Sequence, residues 1–109
     1  MDMAGYVASK QALCSSARTL ALELGPQGIT ANVIEPGMVR TGMTSGLLED
    51  PAISTFFTSL IPVGRVGGAE EVAEAVAYLA DLKSGYCNGA TIRLDGGYTV
   101  SAHASDWAP

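Results

Sequence analysis

The sequence predicts an α/β fold, the carboxyl-terminal part of a doubly wound parallel sheet. Three observations carry that reading: a long helical stripe that feeds a short apolar strand, a second amphipathic helix that feeds a second strand, and only two convincing strands in the whole chain. Two strands joined by a helical crossover describe a parallel βαβ unit, and such sheets need helices on both faces. A doubly wound sheet of ordinary size has several more strands, which here are expected ahead of Met1. The expectation is therefore of a carboxyl-terminal fragment or truncated product.

The first helix is expected over Tyr6 to Leu24, where Leu13, Ala17, Leu20 and Leu24 recur at helical spacing and "GPQG" from Gly25 to Gly28 ends the run. "ITANVI", Ile29 to Ile34, is short, rich in β-branched residues and bounded by glycine and "EPG", as befits a buried strand. Arg40 to Gly68 contains Pro51, Pro62 and five glycines and is expected to be a long excursion with one or two short helices. "AEEVAEAVAYLAD", Ala69 to Asp81, sets Val72, Val76 and Leu79 on one face and places acids in its first turn, at the positive end of the helix dipole. "SGYCNG" then reads as loop, "ATIRL" as strand, "DGG" as turn and residues 101–109 as a frayed tail, so that 1–100 form the domain portion.

Composition narrows the function classes. With 109 residues, 48% of them hydrophobic, one core is the natural expectation. A net charge of −5, with Lys10, Lys83 and four scattered arginines, offers no basic patch for a nucleic-acid backbone. No apolar run approaches the ~20 residues that span a bilayer, and Asp2 stands where a signal peptide wants positive charge, so no membrane partner and a cytoplasmic location are expected. Cys14 and Cys87 lie far apart with no Cys/His cluster, which suggests reduced thiols and no metal site.

The chemistry is concentrated in "GYVASKQA", Gly5 to Ala12. Residues four apart in a helix lie about one turn, or ~6 Å, from each other, so Tyr6 and Lys10 project from one face. A phenol titrates near ~10 and exchanges protons poorly at neutral pH, whereas an adjacent ammonium favours the phenolate and tunes it toward acid/base work. Y-x-x-x-K also arises by chance as an amphipathic tyrosine beside a solvated lysine, so the pair gains weight only from its context.

That context is extensive. "GYVASKQALCSSARTLALELGPQGITANVIEPGMVRTGM", "PVGRVGGAEEVAEAVAYLAD" and "SGYCNGATIRLDGGYT" follow one another in an order that resembles the carboxyl-terminal half of the short-chain dehydrogenase/reductase family. The resemblance covers all but the last dozen or so residues and implies a Rossmann-like sheet and an NAD- or NADP-dependent oxidoreductase. Such an enzyme interconverts a carbonyl and a secondary alcohol, 3-oxoacyl reduction being one form, and is commonly a homo-oligomer. Its final helix and strand, here "AEEVAEAVAYLAD" and "ATIRLDGG", would pack across a subunit interface or serve as plain core.

By the same resemblance, Tyr6 is the general acid/base that exchanges a proton with the substrate oxygen. Lys10 favours the tyrosinate through its charge and holds the nicotinamide ribose hydroxyls. "PGMVRT" matches P-G-x-x-x-T: Pro36 and Gly37 shape a turn near the nicotinamide, the backbone at Val39 meets its carboxamide, and the Thr41 hydroxyl bonds nearby. Ligands of open α/β sheets do lie beyond the carboxyl ends of strands. Gly42 to Val63 occupies the place of the variable substrate segment, with Met43, Leu47, Leu48, Phe56, Phe57 and Leu60 as apolar lining or as core. Asn32 and Glu35 are expected to make structural hydrogen bonds, and His103 and Trp107 carry no assigned role.

The departures are equally informative. The family's serine, about a dozen residues ahead of the tyrosine, has no counterpart, since only "MDMAG" precedes Tyr6. No G-x-G-x-x-G loop follows a strand, and the residue that would choose between NAD and NADP is absent too. "YCNG" replaces the commoner pattern of the last loop. The chain is thus expected to be inactive unless an upstream segment or partner completes it, to fold poorly alone because a sheet edge is exposed, or to serve as a non-catalytic remnant or oligomerisation module.

Overall fold

A computed structural model describes residues 3–101. Within them the order is helix α1 (Met3–Leu24), strands β1 (Val33–Pro36) and β2 (Val39–Arg40), helices α2 (Ser45–Leu48) and α3 (Pro51–Leu60), strand β3 (Gly67–Gly68), helix α4 (Ala69–Ala80), strand β4 (Thr91–Leu94) and helix α5 (Tyr98–Ser101). His103 and Trp107, with the rest of the expected tail after Ser101, lie outside the described residues.

Helix α1 begins at Met3, three residues ahead of the expected Tyr6, and ends at Leu24 as expected. A 3-10 turn over Gly25–Gln27 ends α1, closed by Gly28 with φ of 77°, whose N–H donates to the Gly25 carbonyl. Asp50 caps α3 by accepting from the Ala52 and Ile53 N–H groups at 2.8 and 3.4 Å, with Pro51 at the first helical position. At α4 the cap runs the other way. Glu71, three residues in, reaches back to accept the Gly68 N–H at 2.8 Å, which is half of a capping box.

The strands form two parallel pairs, β1 with β4 and β2 with β3. Val33 N–H donates to the Ala90 carbonyl at 2.8 Å and Gly37 N–H to the Leu94 carbonyl at 2.9 Å, so both partners advance together along β1 and β4. The first strand starts later than its composition predicts. Ile29 N–H bonds back to the Leu24 carbonyl, while Ala31 donates to Asn88 Oδ1 and accepts from Gly89 N–H. These loop contacts satisfy the backbone groups that a ladder would otherwise need. The two-residue pair Val39↔Gly67 and Arg40↔Gly68 is too short to carry any alternation a sequence could reveal.

In place of the single core expected from length, the described residues divide into two compact units, 3–34 with 76–92 and 35–75 with 93–101. The boundary cuts through β1, α4 and β4. In the first unit Ala21 is buried, and the buried Ser84 hydroxyl is bonded to the Leu79 and Asp81 carbonyls. In the second, Val39, Leu48 and Ile61 are buried. Strands this few and short leave little surface on which a larger core could be built.

Within the first unit, the loop ahead of β4 is stapled by two asparagines. Asn32 Nδ2 donates to the Cys87 carbonyl at 2.8 Å and its Oδ1 accepts from Ala90 N–H at 2.9 Å, the structural role expected of it. Asn88 Nδ2 donates to the Ala21 carbonyl of α1 at 2.9 Å. Within the second unit, Glu35 pairs with Arg93 at 3.0 Å.

Candidate active site

Tyr6 and Lys10 belong to the first unit, and Pro36, Gly37, Val39 and Thr41 to the second. On α1 the four-residue spacing does bring the tyrosine and lysine together: Lys10 Nζ lies 5.6 Å from the centre of the Tyr6 ring. No helix breaker interrupts the run, and the Ser9 hydroxyl folds back onto the Tyr6 carbonyl at 2.7 Å. Tyr6 is 58% exposed, so its hydroxyl is accessible to a reacting partner. Among the described residues Lys10 makes no ion pair with a carboxylate.

In the second unit the Pro-Gly turn is fixed from behind. Pro36 closes β1, where its missing N–H costs the ladder nothing further along, and Gly37 donates to Leu94. A Cβ on Gly37 would stand 2.7 Å from Asp95 Cβ and 2.8 Å from Asp95 Cα, so the turn can pack against the start of the "DGG" segment only as glycine. Asp95 in turn organises that segment. It accepts from Gly97 N–H, Thr99 N–H and the Thr99 hydroxyl, at 2.9, 3.0 and 2.6 Å, and the Thr99 hydroxyl leads in holding its carboxyl below the usual range.

Val39 and Thr41 are brought together by a residue that sequence reasoning passed over. The Thr44 hydroxyl donates to the Val39 carbonyl at 2.6 Å and accepts the Thr41 N–H at 2.9 Å. Thr41 Oγ1 lies 3.3 Å from the same oxygen, and the Thr41 carbonyl accepts from the N–H groups of Thr44 and Ser45. The signal was a threonine three residues beyond the motif, at the start of a helical turn, where short hydroxyls bond local backbone.

A second missed feature lies close by. Arg65 forms a bidentate pair with Glu71, Nη1 to Oε2 and Nη2 to Oε1, both at 2.8 Å. That hydrogen bonding, reinforced by the Gly68 N–H, lowers the Glu71 carboxyl to about 2. Of the apolar residues of the excursion, Leu48 is buried, Met43 is 93% exposed, and Phe57 lines a cavity. Among the described residues no cluster of His, Cys, Asp and Glu could hold a metal ion.

Parallel strand pairs alternating with helices along the chain, with a Pro-Gly turn at the carboxyl end of β1, fit a Rossmann-like α/β chain. The chain belongs to the short-chain dehydrogenase/reductase family: the profile described as enoyl-(acyl carrier protein) reductase matches residues 1–99. The 3-oxoacyl-(acyl-carrier-protein) reductase FabG of Escherichia coli is 40% identical over 94 residues, which cover 86% of this chain and 38% of that protein. The chain therefore spans well under half the length of the curated relatives it matches. Among solved structures, 4-hydroxyisoleucine dehydrogenase complexed with NADH aligns with a TM-score of 0.84 and 31% identity, over 89% of this chain and 40% of that one. A putative 2-deoxy-d-gluconate 3-dehydrogenase from Agrobacterium tumefaciens with bound NADP aligns at 0.81 and 34%, over 87% and 39%.

Proposed function

We propose that these residues form the proton-transfer and nicotinamide-side part of an NAD- or NADP-dependent oxidoreductase that interconverts a carbonyl and a secondary alcohol. The observation that carries the reading is the exposed Tyr6 with Lys10 Nζ 5.6 Å from its ring. The bound nicotinamide supplies or accepts the hydride. Tyr6 gives its phenolic proton to the carbonyl oxygen during reduction and takes it back from the alcohol during oxidation. Lys10, beside the Tyr6 ring, holds the ribose hydroxyls with its N–H donors. Pro36 and Gly37 shape the wall beside the nicotinamide, the backbone at Val39 meets its carboxamide, and the Thr41 hydroxyl, beside that of Thr44, bonds nearby.

The domain portion in this reading is residues 1–100, with 101–109 as tail. No G-x-G-x-x-G loop occurs in these 109 residues, so pyrophosphate binding and the polarising serine fall to residues outside them or to a partner. A cytoplasmic location and self-association complete the reading. Val7, Leu13 and Leu22 stand exposed on α1, apolar surface suited to cover by a second copy or by further chain, and no described helix is long and apolar enough to cross a membrane.

The test is a titration of the protein carrying these residues with NADH and NADPH, followed by nicotinamide fluorescence. Saturable binding is expected. Tyr6→Phe should keep that binding and abolish turnover, whereas Lys10→Met should weaken it about tenfold or more, through loss of charge-assisted hydrogen bonds. Absence of binding to either nucleotide would favour a non-catalytic, associating role.

A further inference from the structure

Within the second unit a cavity of about 190 Å³ opens against the Pro-Gly turn, lined by Gly37, Met38, Phe57, Ile61 and Tyr98. We infer that this cavity receives an apolar, ring-sized substituent of the substrate, so that the preferred carbonyl compound is an aryl or short-alkyl ketone rather than a sugar or polyol. The inference rests on the function proposed above, because only that reading gives the cavity's Gly37 wall a place beside the nicotinamide.

Its chemistry argues for the class of ligand. The side chains of Met38, Phe57 and Ile61 carry no hydroxyl, amide or charge, which leaves the Tyr98 phenol as the one such side-chain group on the wall. A polyol entering here would give up water for several hydroxyls and find too few partners, a loss for each one left unpaired. A hydrocarbon ring gives up nothing of the kind and gains contact with Phe57 and Met38, the second of them adaptable in shape.

Size sets the scale. A cavity of roughly 150 Å³ lined by aliphatic and aromatic side chains suffices for benzene. The space here is somewhat larger, enough for a phenyl group or a short alkyl chain.

The walls are also held in place. The Phe57 ring meets Phe56 edge-on, with centroids 5.6 Å apart and planes at 70°. Ile61 is buried to 4% exposure. Tyr98 N–H donates to the Asp95 carbonyl at 3.1 Å, and the Ser101 hydroxyl ties α5 to the Leu60 carbonyl at the same distance. A cavity with such walls binds without first having to be ordered.

The experiment labels the methionine methyl groups of the protein carrying these residues and follows the Met38 methyl by NMR, assigned through Met38→Leu, during titration with acetophenone and separately with glucose. A saturable shift with acetophenone and none with glucose is expected, and Phe57→Ala should weaken the acetophenone response at least about tenfold. Should Phe57→Ala lose its helical circular dichroism, Phe57→Leu must still bind more weakly than the parent. No saturable shift with acetophenone, or an equal one with glucose, overturns the inference. NADH titrated into the same sample separates the two readings. NADH binding without an acetophenone response rejects the cavity inference alone, and an acetophenone response without NADH binding rejects the proposed function while leaving an apolar cavity in place.

Discussion

The Thr44 hydroxyl donates to the Val39 carbonyl at 2.6 Å while accepting the Thr41 N–H at 2.9 Å, so a single side chain clamps both ends of the V-R-T segment. Val39 is buried, and an unmet carbonyl there carries a desolvation cost. Thr44→Val keeps the shape and removes both bonds. It is expected to lower stability by about 1–3 kcal/mol, read from the urea midpoint, with Thr44→Ser restoring most of the loss. A midpoint unchanged in Thr44→Val would show that the clamp contributes nothing.

Gly37 and Gly42 make a matched pair for testing the Pro-Gly turn. A Cβ at 37 would meet Asp95 backbone and side chain below 3 Å, whereas one at 42 would meet nothing within 4 Å. Gly37→Ala should therefore cost about 1–3 kcal/mol by overpacking, and Gly42→Ala should stay within about 0.5 kcal/mol of the parent. Denaturation of the two variants side by side checks the contrast. Equal midpoints would mean that the turn has room to shift.

Acid should remove a specific contribution from the second unit. The Glu71 carboxyl is lowered from 4.5 to about 2, chiefly by its hydrogen bonds from Arg65. A group whose folded value is depressed stabilises the fold above its unfolded value, and that contribution fades as pH falls through the folded one. The loss is thus expected between about pH 4.5 and about 2. Both partners are about half exposed, so the effect is modest and weakens with salt. Glu71→Gln should flatten stability across that window. An unchanged pH profile would assign the acid sensitivity to other carboxylates.

Much of this arrangement was legible in the residues. The stripe through Leu13, Leu20 and Leu24 and the "GPQG" stop gave α1, and the acids and valines of Ala69 to Asp81 gave α4, because helical periodicity and caps act over short range. Strand boundaries were harder. Ile29 to Asn32 has strand composition, yet Asn88 captures Ala31 from fifty-seven positions away, and no local pattern can announce that. At the site, Y-x-x-x-K and P-G-x-x-x-T were visible as motifs. The Asp95 surface that makes Gly37 obligatory, the Arg65–Glu71 fork and the cavity beside Phe57 all depend on pairs distant in the chain, or on space rather than atoms.

The Asn88 staple also bears on chemical ageing. Asn88 precedes Gly89, the dipeptide in which the following amide nitrogen most readily attacks the side-chain carbonyl, expelling ammonia and leaving a succinimide that water opens to aspartate or isoaspartate. In the fold that nitrogen donates to the Ala31 carbonyl at 2.8 Å, and both side-chain heteroatoms are engaged as well. The native hydrogen bonds thus act as a preservative for the sequence that makes them. Incubated in mild alkali, the chain should deamidate at Asn88 much faster in urea than when folded, by peptide mass spectrometry, and equal rates would contradict this. A molecule that opens this loop once too often would be permanently marked, since the aspartate it acquires can no longer donate to Ala21.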